Sequence, residues 1–263
     1  MPPRASVLEL TPVWLTIDQL VYNVHTGTTA LPDDAPGSAR VTTKEKTTLD
    51  LNDDTAWISI DDGKVNAMSL ELLHEIADRI DEGASSARSI VIAGRPGILS
   101  AGFDLSTLKS GPEAARALLD AGVSLILQML ESPVPILVAC TGHAYPMGAF
   151  LLLASDVRVG TEGNWKIGLN EVEIGITVPR FALALAKYRL TPSAYARIRT
   201  AGMFAPHDAV TAGYLDEVLT TSTLRNRCSA LATQMNQLDS VAYQATKARI
   251  VAPLVKRIRR EPY

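Results

Sequence analysis

Only two cysteines, Cys140 and Cys228, occur in the 263 residues, and no CxxC pair or Cys/His cluster exists that would cage zinc or relay a disulfide. A disulfide-stapled secreted scaffold is thereby excluded, and a reducing, cytoplasmic setting is the expectation. Neither sign of charge dominates: 25 Lys and Arg against 28 Asp and Glu leave a net −3. The chain therefore lacks the electrostatic footprint that binding to nucleic acid or an anionic membrane would require. Long apolar runs are missing as well. Val123 to Leu130 and Pro133 to Cys140 are interrupted by Gln, Ser or Pro well short of the roughly 20 residues of a bilayer span. The N-terminus mixes Glu9, Asp18 and Tyr22 into its hydrophobics, unlike the uninterrupted apolar core of a secretory signal, so export is not expected.

Familiar catalytic strings are also absent. The sequence contains no GxSxG, GxxxxGK[ST] or HExxH, and no GxGxxG after the first strand, which removes the usual anchors of serine hydrolases, P-loop enzymes, zincins and dinucleotide folds. The four histidines, His25, His74, His143 and His207, are scattered and read as structural or solvated. No metal site and no cofactor is expected.

What is present is a chain of 47% hydrophobic and 20% charged residues, enough for one large domain or two modest ones. Residues 1–46 are punctuated by Pro2, Pro3, Pro12, Pro32 and Pro36 and read as an extension. Thr48–Leu51 and Ala56–Ile60 flank Asn52-Asp53-Asp54 in a hairpin pattern. Leu70, Leu73, Ile76, Ala77 and Ile80 recur at helical spacing behind the N-cap candidate Ser69, which predicts a helix to about Glu82. Ser89–Gly94 and Pro135–Cys140 read as buried strands on either side of a helix from Pro112 to about Leu130. Strands alternating with helices demand crossovers and a mostly parallel sheet, so the expected class is α/β. A further strand at Val157–Val159 precedes helical patterns at 181–187, 193–200, 205–212 and from Leu224 to the end. The expected division is an extension over 1–46, a core domain over 47–200 and a helical segment over 201–263.

Two loops of small residues each follow a buried strand: Ser100-Ala101-Gly102-Phe103-Asp104-Leu105, and Thr141-Gly142-His143-Ala144-Tyr145-Pro146-Met147-Gly148-Ala149-Phe150. At the carboxyl edge of a parallel sheet such turns expose backbone N–H groups, and two converging N–H groups form an oxyanion hole. Taken together the loops resemble those of the crotonase superfamily of enoyl-CoA hydratases and isomerases, over most of residues 47–250. The motif (S/A)-A-G-x-D-(I/L) is matched by Ser100–Leu105, and N/T-G-x-A followed by a glycine cluster and a helix ending near S/C-D is matched by Thr141–Asp156.

This resemblance implies the crotonase fold, repeated ββα units forming a spiral with a helical C-terminal segment, and assembly as a homotrimer or dimer of trimers. It also implies that the amides of Phe103 and Met147 hold a thioester oxygen and that the substrate is an acyl-CoA. Ala67, within Lys64-Val65-Asn66-Ala67-Met68, and Ala101 fall where the family contacts coenzyme A. Lys247 heads a basic stretch with Lys256, Arg257, Arg259 and Arg260 that is expected to offer a contact to CoA phosphates, although a solvated helix face explains most of it.

Hydratases of the family use two glutamates. The first position falls here on Phe150, which moves no protons, and the second falls on Glu171 in Gly168-Leu169-Asn170-Glu171-Val172-Glu173-Ile174-Gly175. One carboxylate suffices to carry a proton from carbon 2 to carbon 4 of a 3-enoyl thioester. The string followed by Val178-Pro179-Arg180-Phe181 is similar to that of mitochondrial-type 3,2-enoyl-CoA isomerases. Isomerisation is thus the favoured reaction, with hydration by Glu171, alone or with Glu173, and a silent acyl-CoA-binding module as the alternatives. Asp104 and Asp156 read as structural hydrogen-bond acceptors.

Overall fold

The computed structural model describes residues 45–263. Its first element, β1 (Thr47–Asn52), folds back antiparallel onto β2 (Thr55–Ile60) through Asp53 and Asp54, both at positive φ. Aspartate tolerates that region better than most residues because its short side chain can bond locally, and a two-residue turn of this kind matches the twist of the flanking strands. The extension expected over 1–46 lies outside the described residues except for Glu45 and Lys46, which pair with Arg79 and Glu71 on the first helix.

That helix, α1 (Leu70–Ser86), is capped by Ser69, whose hydroxyl accepts from the Leu72 N–H. It buries Leu72, Leu73, Ile76 and Ile80 on one face and runs one turn beyond the predicted end. Gly83 explains the extra turn, because it lets the helix close onto Ala56 and Ile90. The chain then alternates: β3 (Ser89–Gly94), β4 (Gly97–Ser100), a short α2 (Leu105–Lys109), α3 (Pro112–Glu131), β5 (Ile136–Cys140), β6 (Gly142–Ala144) and α4 (Met147–Ala154). Each ββα unit places its first strand in, or at the edge of, one large sheet, and the second and third units place their second strands in a small sheet.

The large sheet has the order β1-β2-β3-β5-β7-β8, where β7 is Val157–Thr161 and β8 is Glu217–Leu219; every pair after the first is parallel. Residues 90–93 and 136–140 are buried without alternation because both faces of this sheet are covered. One face meets α1, α3 and α4 in the principal core. The other meets α8 (Thr221–Met235) through Val91, Ala93, Leu137, Ala139, Leu224, Cys228 and Ala232. The small sheet is the parallel pair β4–β6. The remaining helices are α5 (Arg180–Arg189), α6 (Pro192–Arg197), α7 (Pro206–Ala212) and α9 (Ser240–Arg260).

The fold is α/β of the crotonase type, as the motifs implied, and three local features differ from the sequence reading. The strands β4, β6 and β8 and the helix α2 were not predicted, being too short for a period to show. The last helical pattern divides into α8 and α9 around Gln237-Leu238, where Asp239 restarts the helix by accepting from Ala242 N–H. The stretch after residue 201 is also not purely helical, since β8 extends the large sheet.

The two strands of the small sheet meet at Gly142 and Gly97. A Cβ on Gly142 would stand 2.0 Å from the Gly97 backbone, so β6 approaches β4 more closely than any side chain permits. Gly142→Ala is expected to lower stability by about 3 kcal/mol, read as a drop in the urea midpoint at unchanged slope.

Candidate active site

The loop after β4 is shaped by a buried asparagine. Asn66, at φ 51°, donates from Nδ2 to Ile60 O at 3.0 Å and to Leu99 O at 3.1 Å. Ser100 Oγ donates to Asn66 O at 2.7 Å and accepts from Gly102 N–H at 3.1 Å. Met68 N–H then donates to Gly102 O and Asp104 N–H to Met68 O, a parallel bridge between Met68 and Phe103. In such a bridge the middle residue turns its own N–H away from its partner, so the Phe103 amide faces outward from Met68. Asp104 caps α2, accepting from Ser106 and Thr107.

The second loop is fastened to the first through backbone. Tyr145 N–H donates to Ser100 O at 3.0 Å, and Gly102, at φ 102°, admits Pro146 where a Cβ would stand 2.5 Å from Pro146 Cδ. Met147 follows as the first residue of α4, and first-turn amides have no intrahelical acceptor. The dipole of this wholly buried helix adds partial positive charge at the same end. The Phe103 ring lies over Gly122 of α3, with Met147 Sδ beside it. Two free donors on adjoining loops are an arrangement suited to an anionic oxygen.

A third segment carries the acid. Ala144 O accepts from Gly168 N–H and Ile167 bridges Phe204, which leads the chain into a 3-10 turn over Glu171–Ile174. Glu171 is 5% exposed, and neither carboxylate oxygen has a hydrogen-bond partner. Burial alone pushes its carboxyl up to about 7 from the usual 4.5, opposed only by its own backbone. Glu173, by contrast, is exposed. Phe150 is fully buried, edge-to-face with Phe181 at 5.2 Å between centroids. The structure thus places Phe103 and Met147 on two loops bonded to each other and Glu171 on a third segment bonded to the second, with half-buried Ala67 and Ala101 on the first.

Lys247 does not belong to this group, which corrects the expectation of a CoA contact. Its ammonium is buried in an ion pair with Asp156 at 2.8 Å and donates to Met129 O at 3.1 Å. Burial lowers its pKa against the opposing pull of Asp156. Asp156 also accepts from Ile136 N–H and Tyr243 OH, which makes it the structural acceptor expected of it. Lys256, Arg257, Arg259 and Arg260 are exposed, and Arg259 and Arg260 pair with Glu131 and Glu261. Sequence reasoning missed Asn170 and Tyr214, whose Oδ1 and OH are buried and unpartnered like the Glu171 carboxylate. Tyr214 leaves no sequence signal, because an aromatic after a helix-ending glycine reads as core. Among the described residues no three metal-ligating side chains gather, and no helix is long and apolar enough to cross a membrane.

Known proteins are similar to this chain over most of the described residues. The family model for enoyl-CoA hydratase/isomerase matches residues 51–261. The mitochondrial enoyl-CoA delta isomerase 1 of Homo sapiens is 27% identical over 190 residues, covering 70% of this chain and 63% of the isomerase; the chain thus spans less than two thirds of that relative. A probable enoyl-CoA hydratase of Mycobacterium avium is 28% identical over 195 residues, covering 71% of this chain and 74% of the hydratase. The crystal structure of an enoyl-CoA hydratase/isomerase family protein from Pseudomonas syringae superposes with a TM-score of 0.81 at 38% identity, covering 82% of this chain and 94% of that one.

Two outcomes follow from the buried charges. Glu171 holds its proton in the folded state between its unfolded pKa of 4.5 and about 7, so the folded protein binds more protons there and loses stability as pH rises through that window. Glu171→Gln is therefore expected to be more stable than wild type at pH 8, by roughly 3 kcal/mol, with the gap vanishing near pH 4; urea unfolding at the two pH values measures it. Lys247→Met should cost about 3 kcal/mol and leave KM for a CoA ester unchanged, whereas a phosphate contact would raise KM.

Proposed function

The chain belongs to the enoyl-CoA hydratase/isomerase family, and from that premise we propose that it isomerises a 3-enoyl-CoA thioester to the trans-2-enoyl isomer in fatty-acid β-oxidation. One observation carries the reading: a single buried, unpartnered carboxylate at Glu171, with a phenyl group at Phe150 where a hydratase has its other acid.

Glu171 takes a proton from carbon 2. The electrons of that C–H bond become a carbon–carbon π bond as the thioester carbonyl pair moves onto oxygen. The Phe103 and Met147 amides stabilise the resulting dienolate oxygen, for which preorganised donors supply several kcal/mol in a dry site. When the oxygen pair returns to re-form the carbonyl, the carbon 1–carbon 2 π pair becomes the 2,3 double bond, and the former 3,4 π pair takes the proton from Glu171 at carbon 4. The same group must act as base and then as acid, and a pKa of about 7 suits both at neutral pH. No cofactor enters this balance, since the CoA thioester is itself the substrate. Ala67 and Ala101 stand on the backbone that would meet its pantetheine. We place the enzyme in the cytoplasm as a homotrimer or a dimer of trimers.

Hydration of a 2-enoyl-CoA by Glu171 is the competing reading, supported by relatives that bear the name of hydratases. Wild type and Glu171→Gln incubated with hex-3-enoyl-CoA and hex-2-enoyl-CoA separate the readings. The expected product is a conjugated thioester of unchanged mass, its formation slowed about 10³-fold in the variant with binding retained. A product heavier by one water would mean a hydratase, and binding of both esters without turnover would mean an acyl-CoA-binding module. The base must be ionised to accept the first proton, so kcat/KM should rise with pH through a limb centred at about 7.

A further inference from the structure

Tyr214 follows Gly213, the left-handed cap of α7, and is wholly withdrawn from solvent. Its backbone N–H donates to Ala209 O at 2.9 Å, and its ring lies 5.6 Å from that of Phe204. Phe204 in turn exchanges two backbone hydrogen bonds with Ile167, so Tyr214 rests against the strip that delivers Glu171. A phenylalanine would fill this volume equally well. The hydroxyl is therefore a cost unless something accepts from it.

Five buried side-chain oxygens have no hydrogen-bond partner among the described residues, and four of them belong to Asn170, Glu171 and Tyr214. Burial, and after it the Glu171 charge, make the phenol harder to deprotonate, yet the two groups are not in direct hydrogen-bond contact. One buried phenolic donor and three buried acceptor oxygens on this strip and its packing partner match the needs of a single water. Such a molecule accepts from Tyr214 OH and donates to a Glu171 oxygen and to Asn170 Oδ1, the three bonds usual for a buried water. We propose that Tyr214, with Asn170, forms a buried water site that positions the Glu171 carboxylate and favours its ionised form.

The charged groups around this corner are engaged elsewhere. Arg197 lies over the Phe204 ring at 4.4 Å, and Arg158 donates to Gly213 O and pairs with Asp216. Arg189 donates to Leu153 O and Ser155 O, and Lys166 and Glu173 are exposed to solvent. None of them holds Glu171, whose shift comes from burial.

The kinetic part of this inference rests on Glu171 being the base, but its structural part does not. The protonated carboxyl band of Glu171, assigned by its loss in Glu171→Gln, is titrated by infrared spectroscopy in the ligand-free protein. Tyr214→Phe keeps the ring and the packing and is expected to raise the midpoint by about one pH unit, the loss of one charge-assisted hydrogen bond. The acidic limb of kcat/KM should move by the same amount with little change in KM, giving about ten-fold slower turnover below the midpoint. An unmoved midpoint in a folded Tyr214→Phe protein overturns the water site. If Glu171→Gln keeps its turnover, the proposed base is wrong, and the infrared midpoint still decides the role of Tyr214.

Discussion

Backbone crossing at Ser100 is the constraint on which the rest of the site depends. The Ser100 carbonyl receives the Tyr145 amide from the second loop, while its hydroxyl ties Asn66 to Gly102 within the first. Gly148 passes so near that a Cβ would stand 3.0 Å from the same carbonyl. Two loops that arrive from different ββα units are thereby locked with few degrees of freedom, and the positions of the Phe103 and Met147 amides follow from the lock rather than from their own side chains. Preorganised donors are effective because they need no reorganisation as charge develops. A side chain at either glycine would force the loops apart, even though it would leave both donors in the sequence.

The second constraint is energetic. Glu171 is withdrawn from solvent with no protein group bonded to its carboxylate, which works against folding wherever the group is ionised. The cost is offset by a core of ordinary quality: α4 is buried on every side, and both faces of β3 and β5 are covered. Ion pairs withdrawn from solvent serve a separate purpose. Asp156 collects Ile136, Tyr243 and Lys247, which joins the start of β5 to α9, so its ion pair with Lys247 acts as a fastener. Functional strain and structural charge are thus kept in different parts of the molecule, as expected when a site is destabilised for its chemistry.

Much of this was legible in the sequence because the elements that carry the site have strong local signals. The Asp53-Asp54 turn, the Ser69 cap and the unbroken apolar runs of β3 and β5 each follow from short-range chemistry. The two loops and Glu171 were legible through their resemblance to a motif, since no side chain in them except the glutamate is reactive. What escaped was set by tertiary contact. The strand β4 exists because β6 pairs with it, Lys247 looks like a surface cation until Asp156 is folded beneath it, and Tyr214 gains meaning only when residues 204 and 167 are brought together. None of these partners lies within the reach of a periodic pattern.

Phe150 and Glu171 together explain why one acid can be sufficient. The phenyl group at position 150 is not ionisable, so it adds no like charge that would compete with Glu171 for a proton. Its ring packs edge-to-face on Phe181 in the core, and burial is what raises Glu171 to about 7. Under the proposed isomerisation, a carboxyl with that pKa is ready at neutral pH both to accept the proton from carbon 2 as its anion and to return it to carbon 4 as the neutral acid, so one group can serve both halves of a reaction whose substrate and product differ only in the place of a double bond.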